Sequence, residues 1–294
     1  MEEKKKDIHW YPGHMTKAIR QMQEDIKLID VVVEIVDARI PMSSKNPDID
    51  TLAKGKSRIL LLNKADLADE DQTEAWKTWY EGKGFLVAAI NAKNGNGVRK
   101  IRDLVAEAAK EKRERDRKRG ILNRPVRCMV AGIPNVGKST FINSFAGRAV
   151  TKTGNTPGVT RGKQWIRLNK EVELLDTPGI LWPKFESQTV AERIAFIGSI
   201  RDEVVNQRDL GIRFVNWIEG AYPGKLAAYY GIPQAEEAIA LLSAIAEKRA
   251  ALKKGGEPDF DRAAQMVLDD VKNGRLGRMT FDTVAEVTDG SEEA

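Results

Sequence analysis

The chain has 294 residues, 41% of them hydrophobic, one cysteine and a formal net charge of +5. That length predicts one large core and a smaller one. The lone Cys128, in the apolar run "VRCMVAG", excludes a disulfide framework, reads as a small buried hydrophobe and points to a reducing compartment. The start "MEEKKKD" lacks signal-peptide character, and runs such as "VVVEIV" are far too short to span a bilayer, so a cytoplasmic protein with no membrane contact is expected.

Met15, Ala18, Ile19, Met22, Ile26 and Ile29 recur at helical spacing and predict an amphipathic helix over 14–29. The apolar runs 31–37, 58–63, 85–91 and 127–132 then read as buried strands of a parallel sheet, with helical segments near 71–81 and 97–112 separating the last three. "KEKRERDRKR" at 110–119 holds seven basic and three acidic residues. It reads either as a solvated helix end or as a contact for a phosphate backbone. "QWIRL" and "EVELLD" flank "NK" and predict a hairpin whose second strand ends at Asp176. Beyond residue 200 the pattern turns helical, in "RDEVVNQRDLGIRFVNWI", "AEEAIALLSAIAEKRAAL" and "DFDRAAQMVLDDVKN". Residues 1–200 are thus expected to form an α/β domain and 201–294 a second, all-helical one. The first holds 36 basic and 26 acidic residues, the second 12 and 17. The tail "AEVTDGSEEA" is polar and acidic, and fraying is expected there.

Chemistry enters with "GIPNVGKST" at 132–140. Gly132 to Ser139 fits G-x-x-x-x-G-K-[ST], directly after a strand and before a helix, the setting a phosphate loop needs. Backbone N–H groups of Val136, Gly137, Lys138, Ser139 and the adjoining Thr140 are placed to cradle a diphosphate at a helix N-terminus. Lys138 is expected on the β and γ phosphates and Ser139 on Mg²⁺. "NKAD" at 63–66 ends another strand. A carboxylate at Asp66 can accept from guanine's N1–H and 2-amino group together, which adenine cannot offer. Asn63 can tie loops together, the Lys64 stem can pack over the base, and Ala65 lies between them and Asp66. "INAK" at 90–93 is similar to the Ser-Ala-Lys loop that offers an N–H to the guanine oxygen, through Ala92, with Asn91 in the serine place. "DTPG" at 176–179 supplies Asp176 for Mg²⁺ through water and Gly179 for the γ phosphate. "TGNTPGVTRG" at 153–162 reads as the loop ordered by that phosphate, with Thr160, or else Thr156, on Mg²⁺.

The motifs run base loop, second base loop, phosphate loop, first switch, second switch, a rotation of the usual GTPase order. With "HWYPGHMTKA" at 9–18, "VDARIPMSSKNP" at 36–47, "LLDTPGILWPKFE" at 174–186 and the helical C-terminal part, the chain resembles the circularly permuted GTPase family, in particular its ribosome biogenesis GTPase A group. The resemblance implies a circularly permuted P-loop GTPase domain with GTP/GDP and Mg²⁺. It also implies a role late in assembly of the bacterial large (50S) ribosomal subunit, with ribosomal RNA and proteins as partners. A monomer is expected. Ile180 stands where many GTPases carry the water-orienting glutamine, so unaided turnover is expected to be slow. The family likeness points to His9 as the catalytic group, its alternative being a hydrogen-bonding structural histidine. It likewise assigns Asn135 either to a K⁺ ion beside the phosphates or to loop capping. A small signalling GTPase would lack the rotation and the helical part, and a metabolic kinase would not need "NKAD".

Overall fold

The computed structural model describes residues 14–121, 124–152, 164–185 and 187–289. In chain order these give α1 (His14–Asp25), β1 (Val31–Asp37), α2 (Pro47–Leu52), β2 (Ser57–Asn63), α3 (Glu70–Gly82), β3 (Leu86–Ile90), α4 (Ile101–Ala108) and α5 (Lys110–Lys118). There follow β4 (Val126–Ala131), α6 (Lys138–Ala146), β5 (Gln164–Arg167), β6 (Val172–Asp176), α7 (Gln188–Phe196) and α8 (Gln207–Ala221). The last are α9 (Lys225–Tyr230), α10 (Ala238–Lys248), α11 (Phe260–Lys272) and α12 (Val284–Asp289).

The strands form one six-stranded sheet, order β3-β2-β1-β4-β6-β5, parallel throughout except for the edge hairpin of β5 with β6. Every residue of β1 is buried, because helices on both faces of a parallel sheet leave its central strands no solvent side. Val31–Val36 therefore reads as an apolar run interrupted only by Glu34, and Asp37 closes it. Burial raises the Glu34 carboxyl, and Arg58 from the next strand donates to it at 2.5 Å. Cys128 is buried and its thiol is pushed up to about 12 by desolvation, which makes it the inert hydrophobe expected. On the outer face Trp76 and Tyr80 of α3 pack with Val36, Ala38, Leu60, Leu62 and Val87.

Among the described residues two compact units result: one from within 14–185 together with 279–289, the other from 187–278. The division thus falls earlier than residue 200, and the chain crosses it again after 278. Ser187 caps α7 by accepting from the Val190 N–H at 3.2 Å, and its apolar residues Ala191, Ile194 and Phe196 are buried. Phe196 meets Phe214 of α8 edge to face, so this helix shares the helical core. Within that core α8 buries Leu210, Phe214, Val215 and Ile218, and α11 buries Ala264, Val267 and Leu268.

The predicted helix at 14–29 ends as a helix at Asp25 and closes with a 3-10 turn, Ile26–Leu28. The one at 97–112 breaks at Ala109 into α4 and α5. The expectation of fraying over 285–294 is corrected as far as residue 289; residues 290–294 lie outside the described residues. Residues 284–289 are helical, with Val284 and Val287 packed on the Trp76 cluster, so the two valines outweigh the acidic residues around them. The acidic character assigned to the helical part also moves: residues 201–278 hold 12 basic and 12 acidic side chains, and the excess lies in the five acids after 278. No helix among the described residues is long and apolar enough to cross a membrane.

Candidate functional site

The carboxyl ends of parallel strands are where open α/β sheets bind ligands, and here they bring together motifs from distant parts of the sequence. Asp37 ends β1 in register with Asn63, which ends β2. Asp176 ends β6 beside β4, which runs into the phosphate loop.

Asn63 is 2% exposed and uses both ends of its amide. Nδ2 donates to the Val136 carbonyl at 2.7 Å, and Oδ1 accepts from the Ala92 N–H at 3.0 Å. One side chain thereby holds the base loop, the second base loop and the phosphate loop in a fixed relation. Gly137 makes this approach feasible: its φ is +96°, and a Cβ there would stand 2.3 Å from Asn63 Nδ2. Lys64 has φ 61°. Its Nζ reaches Asp37 Oδ2 at 2.8 Å and donates to the Asn135 carbonyl at 2.8 Å, so the side chain links the end of β1 to the phosphate loop. Asp66 is exposed on the 3-10 turn Ala65–Leu67, free of the buried pairing that engages Lys64.

Asn91 takes the serine place as a brace. Its Oδ1 accepts from the N–H groups of Lys93 and Asn94 at 3.0 and 3.3 Å. The Ala92 N–H meant for a guanine oxygen already bonds Asn63, so a base there would share or replace that contact.

In the phosphate loop Lys138 is buried, its Nζ donating to the Ile133 carbonyl at 2.8 Å. Burial lowers its ammonium while Asp176 opposes the shift; burial likewise raises the Asp176 carboxyl, with Lys138 opposing. Both directions describe charges desolvated ahead of a ligand that would satisfy them. Asp176 Oδ1 is buried and has no hydrogen-bond partner among the described residues. An orphaned carboxylate oxygen beside the Ser139 loop is a hard-oxygen donor set that fits Mg²⁺. Among the described residues no group of three or more His, Cys, Asp or Glu stands together as a metal cage. Gly179 lies against the loop: a Cβ would come within 2.8 Å of the Pro134 backbone and 2.9 Å of Lys138 Nζ. Asn135 has φ 61° and Thr140 is half-buried on α6. His9, Thr156 and Thr160 lie outside the described residues.

Sequence reasoning passed over Asp37, Arg39 and Asn46. Arg39 donates to both Asp37 oxygens at 2.9 Å, completing a buried Arg–Asp–Lys chain that ends on Lys64. Asn46 caps α2 by accepting from the Asp48 N–H at 2.9 Å and donates to the Ile180 carbonyl at 3.0 Å. A readable signal existed: Asp37 closes an apolar strand as Asp176 does.

A family model described as "50S ribosome-binding GTPase" matches residues 127–221. Over the full chain, the ribosome biogenesis GTPase A of Bacillus cereus is 45% identical across 97% of each chain, and that of Thermotoga maritima 33% across 97% and 98%. The crystal structure of GNP-bound YlqF from T. maritima superposes with a TM-score of 0.63 at 29% identity, covering 91% of this chain and 98% of that one. Motif order, sheet and near-complete coverage agree, and the chain belongs to the ribosome biogenesis GTPase A family.

Proposed function

We propose that this GTPase works on the large ribosomal subunit precursor, holding GTP through Asp66, Lys138 and Ser139 and reporting nucleotide state to its helical unit. The observation that carries the nucleotide site is the Asn63 amide, which joins both base loops to the phosphate loop. Backbone N–H groups at the start of α6 and the Lys138 ammonium receive the phosphates. When bound, Mg²⁺ neutralises charge on the β and γ oxygens; Ser139, Asp176 through water and Thr160 are the residues that would hold it. Asn135 is proposed for K⁺.

Ile180, Leu181 and Trp182, which follow Gly179, are all buried. None can orient water, so hydrolysis alone should run at roughly 10⁻⁴ to 10⁻³ s⁻¹. His9 is proposed to complete the site when a ribosomal particle is bound. Loss of the γ phosphate releases the Gly179 contact, and residues 180–187 connect that glycine directly to α7. The helical unit thus hangs on the segment that moves. At the end of α5, Arg117 and Lys118, and Arg119 just beyond it, are exposed, which supports contact with RNA phosphates.

Single-turnover hydrolysis with purified large subunits tests this. Stimulation of roughly 10³-fold or more is expected, falling steeply with salt and lost in His9→Ala with GTP affinity kept. Stimulation undiminished in His9→Ala would move catalysis elsewhere. No response to any ribosomal particle would remove the partner assignment.

A further inference from the structure

After Arg278 the chain returns to the sheet unit, and Met279, Thr280, Phe281 and Asp282 are each at most 4% exposed. Polar groups gain nothing from burial unless paired. Here they are paired, and their partners include the segments that follow β1 and the Asp66 turn. The Met279 N–H donates to the Leu67 carbonyl at 3.0 Å, and Thr280 Oγ1 accepts from the Asp69 N–H at 3.1 Å. These bonds grip the chain immediately after the turn that carries Asp66. The Phe281 N–H donates to the Arg39 carbonyl at 2.7 Å. The Asp282 carboxylate accepts from the N–H groups of Met42 and Ser43 at 2.8 and 2.7 Å and from the Ser43 hydroxyl at 2.7 Å, while its carbonyl accepts from the Trp76 indole at 2.9 Å. Arg39 in turn clamps Asp37, which holds Lys64.

We infer that residues 279–282 are a strap that sets the geometry of guanine recognition, with Thr280 and Asp282 as positioning residues for base specificity. This rests on Asp66 reading the base. Asp66 sits in a three-residue 3-10 turn, in which the Leu67 N–H donates to the Lys64 carbonyl at 2.8 Å. A single 3-10 turn is weakly held by its own hydrogen bond. Accepting two donors from one base edge, however, requires both carboxylate oxygens in line within a fraction of an ångström. The turn's entrance is fixed by Lys64 on Asp37, and its exit by Met279 and Thr280. The strap's own contacts fall on residues 39–43 after β1, on Leu67 and Asp69 just beyond Asp66, and on Trp76, with none to the phosphate loop among the bonds described. Its loss should therefore weaken discrimination at the 2-amino group more than phosphate binding.

Inosine diphosphate lacks that amino group and serves as the probe. Calorimetric titration with GDP and IDP should give wild type a clear preference for GDP. Thr280→Val removes one acceptor at nearly constant shape and should reduce the GDP:IDP ratio by roughly threefold or more, and Asp282→Ala should reduce it further. Should Asp282→Ala fail to fold, as a melting curve would reveal, Thr280→Val carries the test. Strap variants that melt earlier yet keep the wild-type ratio would overturn the inference and leave a purely structural tail. Asp66→Asn is the reference: if it leaves the ratio unchanged, the Asp66 reading falls, and the strap's assigned purpose falls with it.

Discussion

Asn63 Nδ2 and the Val136 carbonyl meet at 2.7 Å although 73 positions separate them in the chain. In a rotated sequence this bond restores the adjacency that phosphate and base require. Asn63→Ala should weaken GDP and GTP alike by about 1–3 kcal/mol, since it strands a buried carbonyl and frees the Ala92 N–H. Asn63→Asp should be worse, because a carboxylate would then face the Val136 carbonyl. Calorimetric affinities that match wild type for both nucleotides would show the loops to be held by other contacts.

Asp66 is expected to set the base. Asp66→Asn should cost GTP roughly 3 kcal/mol through loss of a charge-assisted pair of hydrogen bonds. Xanthine carries a carbonyl where guanine has its amino group, so XTP should bind the variant better than GTP does. Competition between the two nucleotides on the variant measures this, and an unchanged preference for GTP would reassign base recognition.

The sheet was legible because its strands are unbroken apolar runs, and the phosphate loop because its glycines and lysine leave little chemical alternative. Helices whose signal is a cap and a short apolar face were harder to read. Pro47–Leu52 and Lys225–Tyr230 have only six residues each, too few for a period to emerge. Gln188–Phe196 was hidden by following the switch motif. Residues 279–282 carried no readable signal because composition weighs residues equally, whereas Thr280 and Asp282 are buried and satisfied by loops more than 200 positions away. No local pattern encodes a partner at that distance. The same holds for Asn46, whose bond goes to the distant Ile180 carbonyl, whereas Arg39 clamps Asp37 only two residues away and was overlooked although local.

The phosphate and metal positions separate by ligand. Lys138→Ala should weaken GDP and GTP, because the ammonium faces both terminal phosphates. Ser139→Ala should spare GDP more and abolish the response to Mg²⁺, read as the shift in GTP affinity on adding the ion. Replacing Na⁺ with K⁺ should speed single-turnover hydrolysis if Asn135 holds a monovalent ion. Rates indifferent to the ion would discard K⁺ and leave the Mg²⁺ assignment intact.

Asp37 should mark the protein's response to acid. Burial alone would raise its carboxyl, but the Arg39 guanidinium and then the Lys64 ammonium hold it well below the usual carboxylate range. A depressed carboxylate contributes stability that is present above its unfolded value, near ~4, and lost as pH falls through that value toward the folded one. Asp37→Asn leaves two buried cations without their anion and should cost about 3–5 kcal/mol at neutral pH. Other carboxylates titrate in both proteins, so the informative quantity is the difference between them. Urea unfolding of wild type and Asp37→Asn from neutral pH down to roughly pH 2.5 should show that difference shrinking below about pH 4. The folded protein keeps Asp37 ionised over this range, so Lys64 keeps its anchor and the shrinkage comes from proton uptake by the unfolded chain. A stability gap constant across the range would mean that Asp37 binds its proton alike in the folded and unfolded chain, so that its charge adds nothing to the fold.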